Sequence, residues 1–358
     1  MAILIFILCL SALIFIHEFG HFLAAKKAGI KVEEFGFGYP PRIWGFKKRG
    51  TFYSINALPF GGFVKIFGED GKERHNRRSF ASRKPGTRMG ILAAGIALNL
   101  AVGMALLGFG YFIGLPAAVT EENIGQLQDI NLSILNVSAK TPAAAAGLKA
   151  GDIILAVKAD GEQTSQSISE DFQKFVKKHQ GETIVLVIQR QNSVVEKSLT
   201  SRLNPPSGEG PLGIVIGEVG ILRYSWWQSF INGIRDGLRL FLNIFLALFY
   251  FIKGLFVGTQ SVNDVVGVVG ITALGSQTVK LGIRYVLQFL AALSVNLAAL
   301  NLVPFPALDG SRILFVLIEK IKGKPVSVRV ENFIHSFGFA FLILLTIIIT
   351  TKDVLRLF

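Results

Sequence analysis

The chain contains one cysteine, Cys9, in 358 residues. An intramolecular disulfide needs two thiols, so no covalent staple supports the fold. Charge is also scarce. Asp, Glu, Lys and Arg make up 17% of the chain, against about 25% in soluble globular proteins, while 51% is hydrophobic and the mean hydropathy is +0.51. This balance excludes an ordinary soluble enzyme. Acidic residues are the scarcer of the two signs, 24 against 37 basic, for a formal net charge of +13. One basic patch on a soluble domain would suggest nucleic acid, but here the basic residues sit in segments between long apolar runs, and no nucleic-acid partner is expected.

Those runs organise the chain. Ala2 to Ala25 supplies about 24 residues, roughly 36 Å of helix, enough to cross a hydrocarbon core of about 30 Å. Lys26 and Lys27 follow it and no basic region precedes it, which disfavours a cleaved signal peptide and places the far end in the cytoplasm. Residues 31–88 carry 13 basic against 5 acidic residues and are expected in the cytoplasm. The Gly- and Ala-rich stretch Met89 to Leu115 returns the chain outside, with Asn99 its one strongly polar group. Tyr285 to Val303 and Phe333 to Thr350 are two further spans, and the basic segment between them, Lys320 to Arg329, is cytoplasmic by the same rule. Four crossings leave both termini outside. Ser225 to Gly258 is ambiguous: Arg235, Asp236 and Arg239 punctuate its start, and its uninterrupted apolar run, Leu240 to Ile252, suits an interfacial or partly embedded helix within a segment spanning 225–282.

Residues 116–224 differ in character. Short alternating runs such as Thr183 to Arg190 (TIVLVIQR), with 12 acidic and 10 basic residues, predict a small β-rich domain outside the membrane.

The first span contains His17-Glu18-Phe19-Gly20-His21. Two imidazoles four residues apart share one helix face at about 6 Å and can chelate one zinc ion, with the intervening Glu placed to polarise a bound water. With 5 His in the chain, a chance HExxH is expected about 0.003 times, so coincidence explains it poorly. Three ionisable groups in an apolar span cost several kcal/mol unless something coordinates them. A catalytic zinc needs a third protein ligand and an open position. Asp309 is the candidate, in Asn301-Leu302-Val303-Pro304-Phe305-Pro306-Ala307-Leu308-Asp309-Gly310, where two prolines must unwind the helix. Its alternative role is to cap the helix that resumes there.

These motifs resemble those of the site-2 proteases, intramembrane zinc metalloproteases, and within them the bacterial regulator-of-sigma-E-protease type. HEFGH (17–21) looks like the family's HExxH, and NLVPFPALDG (301–310) looks like its NxxPxPxLDG, in the right order and flanking a soluble domain. The resemblance implies that His17, His21 and Asp309 bind Zn2+, that Glu18 is the general base and that Asn301 holds substrate near the scissile bond. Gly36-Phe37-Gly38 and Pro59 to Lys65 resemble the family's re-entrant β-loop, in which Gly61, Gly62 and Phe63 would meet an extended substrate; an ordinary cytoplasmic hairpin is the alternative. Ile96 and Val268 stand where the family usually has proline.

Ser138 to Leu155 (SAKTPAAAAGLKAGDIIL) resembles a PDZ motif, and Pro211-Leu212-Gly213-Ile214 looks like its carboxylate-binding loop, with Gly213 and Ile214 facing an extended or C-terminal peptide. The domain would either bind such peptides or exclude bulky substrates. The expected fold is therefore an α-helical multi-span membrane protein with a re-entrant β-loop and one inserted extracytoplasmic PDZ domain. The resemblance implies a bacterial cytoplasmic-membrane protease acting on single-span membrane proteins in the lipid bilayer, for instance releasing a membrane-tethered anti-sigma factor or clearing signal-peptide remnants. A PDZ scaffold without proteolysis is the alternative.

Overall fold

The computed structural model describes residues 2–71, 73–165, 169–191, 193–206, 208–258 and 267–355. The chain divides into two compact units, Met1–Phe109 with Gln228–Phe358, and Gly110–Trp227.

The first unit opens with α1 (Ala2–Lys27), apolar except at Ser11 and the His17–His21 motif and closed by Lys26 and Lys27, which favour a helix C-terminus. Two long antiparallel strands follow, β1 (Val32–Lys48) and β2 (Thr51–Ile66). Arg49 and Gly50 join them, both with positive φ, as a type I′ hairpin requires. The pairing is irregular. Phe35 lies opposite both Val64 and Tyr53, and Phe37 opposite both Gly62 and Ile55, so the hairpin doubles back on itself. Tyr39, Ile43, Trp44, Leu58 and Phe60 are exposed apolar groups around its outer part. Next, α2 (Pro85–Ile113) begins with proline at its first position, where no amide is needed. It approaches α1 very closely: a Cβ on Gly20 would lie 2.5 Å from the Ala94 carbonyl oxygen. Small residues permit this contact.

The second unit comprises β3 (Leu115–Ala118), β4 (Leu127–Val137), α3 (Pro142–Ala145), β5 (Ile153–Ala159), β6 (Glu162–Ser165), α4 (Ser169–Lys178), β7 (Thr183–Arg190), β8 (Ser193–Thr200) and β9 (Ile214–Leu222). One seven-stranded sheet runs in the order β3-β9-β4-β5-β7-β8, with β6 paired to β5. The alternation read in Thr183–Arg190 is strand alternation: Ile184, Leu186 and Ile188 are fully buried and pack with Leu132, Ile154, Val157, Phe172 and Val176. Each such side chain contributes roughly 1.5–3 kcal/mol by leaving water. Buried Asp152 accepts two hydrogen bonds from Arg190, 2.7 Å from Nε and 2.6 Å from Nη2, and a third from the Lys149 amide at 2.8 Å. These bonds push the Arg190 guanidinium above its ordinary pKa.

After the first two residues of α5 (Trp226–Val257), which belong to the second unit, the first unit resumes with the rest of α5, α6 (Val268–Leu281), α7 (Ile283–Leu302), α8 (Asp309–Lys322) and α9 (Val328–Leu355). Among the described residues, α1, α2, α7 and α9 are long and apolar enough to cross a membrane, at the four places expected. The helices overrun the apolar runs because polar residues continue them by a turn or so into the flanks, as Val328 to Asn332 does before α9's apolar part. The ambiguous 225–258 segment is one continuous 32-residue helix, about 48 Å long. Its Gly233 packs against Gly108 and its Gly237 against Met104, both on α2. Residues 259–266 of the expected 225–282 segment lie outside the described ones. At the start of α6, Asp353 from α9 accepts a hydrogen bond from the Gly270 amide at 2.9 Å, satisfying one free donor of that helix end.

Candidate metal centre

Helical spacing brings the two imidazoles of α1 onto one face, with ring centroids 4.7 Å apart. The third group arrives from the other end of the chain. After α7 the backbone unwinds through Val303 to Leu308, as the two prolines require, and Asp309 is the first residue of α8. Its Oδ2 lies 2.9 Å from His17 Nε2 and 3.2 Å from His21 Nε2, and the two Nε2 atoms are 3.1 Å apart. A tetrahedral zinc shell with bonds of about 2.0–2.1 Å spaces its ligand atoms roughly 3.3 Å apart, so the three atoms match one ion's first shell. Both histidines are buried and Asp309 is nearly so. Leu308, the residue preceding α8, shows no side-chain cap bond, and the Asp309 carboxylate is turned to the imidazoles.

The donor chemistry fits as well. His21 Nδ1 donates to the Ile91 carbonyl at 2.9 Å, which leaves Nε2 unprotonated and available to a metal. Glu18, half-buried, occupies the position after His17. Backbone packing locks the cluster: Gly95 of α2 lies so close that a Cβ there would stand 2.5 Å from His21 Nε2 and 2.9 Å from His17 Cε1. Two ion pairs hold α8, one between Arg88 and Glu319 at 2.9 Å and one between Arg312 and Glu69. Gly310 lets α8 start directly beneath the Leu302 and Val303 carbonyls.

The other expected residues are dispersed. Asn301 is near the end of α7, where its Nδ2 donates to the Leu297 carbonyl at 2.9 Å in its own helix. Gly61 and Gly62 are buried beside α1, against Ile14 and Phe15 respectively, one turn before His17. Phe63 follows in the outer segment of β2, paired to Gly36. Gly213 and Ile214 belong to the second unit. There Ile214, Val215, Ile216, Pro211 and Leu212 line a cavity of about 430 Å³ with Phe172 and Val176 of α4.

Two further polar side chains of the helical unit have no role in the sequence reading. Asn99 was visible only as a polar interruption of an apolar span, yet it is fully buried. His335, on α9, accepts a hydrogen bond from the Ala307 amide at 3.0 Å. In each case a lone polar side chain in an apolar helix was the available signal.

The sequence pattern of peptidase family M50 matches residues 5–345. A Clostridium perfringens protein whose name marks it provisionally as a zinc metalloprotease is 34% identical over 99% of each chain. The zinc metalloprotease RasP of Oceanobacillus iheyensis is 30% identical over 99% of this chain and 98% of its own. The regulator of sigma-W protease RasP of Bacillus subtilis is 28% identical over 99% of both.

Proposed function

The chain belongs to peptidase family M50, the site-2 proteases, and on that premise we propose that His17, His21 and Asp309 hold its zinc while Glu18 is the general base. It is a zinc-dependent metalloprotease of the membrane, and the bonds it hydrolyses lie within transmembrane segments of other proteins. The observation that carries the assignment is the convergence of three ligand atoms, all within 3.2 Å of one another, from residues nearly 300 positions apart. Bound there, zinc supplies a Lewis acid that polarises a carbonyl and makes water acidic enough to lose a proton near neutral pH. The Glu18 carboxylate takes that proton and delivers it to the nitrogen of the departing amide. Burial of the cluster between α1 and α2 excludes bulk water from the reacting groups.

A transmembrane helix hides its carbonyls in its own hydrogen bonds, so a substrate must unwind before it can be cut. The outer segment of β2 beside α1 offers backbone groups to replace the lost bonds, with Gly61, Gly62 and Phe63 as the docking positions and Asn301 as a further polar contact. The exposed apolar side chains of the β1–β2 hairpin support its dipping into lipid as a re-entrant loop. The basic excess in 31–88 supports a cytoplasmic position for that loop and an extracytoplasmic one for the sheet domain.

The second unit reads as a single PDZ domain. Between Val219 and Leu222, β9 pairs with β3 as well as β4; the Ile214–Gly217 part pairs with β4 alone and leaves an edge beside α4. An extended peptide adds to such an edge, and amides around Gly213 and Ile214 receive its carboxylate. Single-span membrane proteins are the substrates this architecture suits. No observation favours a scaffold without proteolysis.

The test uses purified full-length protein and a synthetic transmembrane peptide. Glu18→Gln retains zinc and loses cleavage, whereas His21→Ala and Asp309→Ala lose both. Normal turnover by Glu18→Gln, or full zinc content in Asp309→Ala, would overturn the assignment.

A further inference from the structure

Each imidazole of the metal centre has a second nitrogen. That of His21 is bonded to the Ile91 carbonyl, but His17 Nδ1 is buried and, among the described residues, has no hydrogen-bond partner. Metal-binding histidines almost always donate this proton to an outer acceptor, which fixes the tautomer and the ring's orientation. One side chain nearby has the complementary deficit. Asn99 is fully buried, and neither Oδ1 nor Nδ2 of its carboxamide has a partner among the described residues. Two unsatisfied polar groups inside an apolar bundle are each costly.

Helix geometry puts Asn99 one turn from the contact that α2 makes with His17. Asn99 lies one turn beyond Gly95 on the same face of α2, and Gly95 is the residue pressed against both imidazoles. A helical side chain leans over the turn N-terminal to its own Cα, so Asn99 reaches back toward Gly95, where no side chain stands in the way. One turn farther on, Gly103 packs on Val295 of α7. Ser294, fully buried, donates to the Asn99 carbonyl at 2.8 Å. Asn99 is thus enclosed where α2 meets both α1 and α7. The pairing of the antiparallel helices points the same way: moving four residues back along α1 from His21 moves four residues forward along α2 from Ile91, to the turn that Asn99 overhangs.

We infer that in the zinc-loaded protein the Asn99 carboxamide becomes the outer partner of His17: a small turn of the two groups, unpaired among the described residues, lets Oδ1 accept the Nδ1–H bond and hold the ring with Nε2 free for the metal. Asn99 is a positioning residue, not a ligand. The inference rests on His17 binding zinc, and its test separates the two claims.

The experiment measures zinc affinity of the full-length protein by chelator competition, together with the visible spectrum of the cobalt(II)-substituted form. Asn99→Leu, nearly isosteric, is expected to weaken zinc binding 10- to 100-fold and to shift the cobalt bands. Asn99→Asp keeps the acceptor and is expected to restore affinity to within a few-fold of wild type. Ser294→Ala, which removes the neighbouring bond to the Asn99 backbone, controls for general loosening and should leave the cobalt bands in place. If Asn99→Leu does not fold, Asn99→Ser supplies the smaller change, with the same bands as readout. Unchanged affinity and spectrum in a folded Asn99→Leu protein would overturn the inference, as would equal losses in Asn99→Leu and Asn99→Asp. Retention of zinc by His17→Ala would instead overturn the ligand assignment beneath it.

Discussion

The Ala307 amide donates a hydrogen bond to His335 Nδ1 at 3.0 Å, tying the unwound segment before Asp309 to α9. Two further features fix this segment. Ala307 has a positive φ of 76°, a conformation that costs a non-glycine residue about 1–2 kcal/mol. Pro306 sits so close to α9 that a Cβ on Gly338 would lie 2.1 Å from it. The Asp309 carboxylate is therefore positioned by a helix that adds no residue to the His17, His21 and Asp309 cluster.

Removing the acceptor should release the segment. His335→Ala is expected to lower stability by about 1 kcal/mol and to weaken zinc binding several-fold, because Asp309 then samples positions away from the imidazoles. His335→Gln keeps an acceptor and should lie between Ala and wild type. Hydrogen exchange at residues 303–308 together with chelator competition checks this; unchanged exchange in His335→Ala would refute it.

Steric constraint at the centre is sharper. A methyl group on Gly95 would stand 2.5 Å from His21 Nε2, and it can be accommodated only by moving α2 or the ring. Gly95→Ala should therefore lose zinc and proteolysis. Gly90, on the same helix, has open space around the corresponding position, and Gly90→Ala should gain up to about 1 kcal/mol from helix propensity. Thermal unfolding and bound zinc measured on both variants decide the matter. Full zinc content in Gly95→Ala would show that the helices are not in contact there.

Much of this was readable from sequence because it is local or periodic. The HExxH spacing places His17 and His21 on one face whatever surrounds them, and four runs near or above 18 apolar residues read directly as α1, α2, α7 and α9. Thr183–Arg190 alternates and is a strand. Asp309 on its own residues reads as either ligand or cap, and only the family resemblance selects the ligand, since its relation to His17 spans 292 positions and depends on how α8 docks through Arg88 and Arg312. The doubling of β1 and β2 was not legible: its register shifts come from glycines and prolines whose effect depends on what packs against them. The continuity of α5 was hidden by Arg235, Asp236 and Arg239, which interrupt an apolar run without interrupting a helix.

The cavity between β9 and α4, proposed above as a peptide groove, is tested at Gly213. Gly213 has a φ of 76°, and a Cβ there would lie 2.4 Å from Cβ and Cγ2 of Thr141. Thr141 is itself committed, accepting from the Ala144 amide at the start of α3 and donating to the Ser138 carbonyl, so it cannot withdraw freely. Both the backbone conformation and the space forbid a branched residue, and Gly213→Val must displace the start of β9, where the groove faces α4. A labelled peptide with a free C-terminal carboxylate is expected to bind the wild-type full-length protein and to lose at least 10-fold in affinity to Gly213→Val. The same peptide with an amidated C-terminus should bind the wild type no better than it binds the variant, because the proposed capture of the peptide by the loop amides requires its negative charge. Zinc content reports separately on the first unit. Equal binding of the free and amidated peptides to the wild type would remove carboxylate capture from the domain's role.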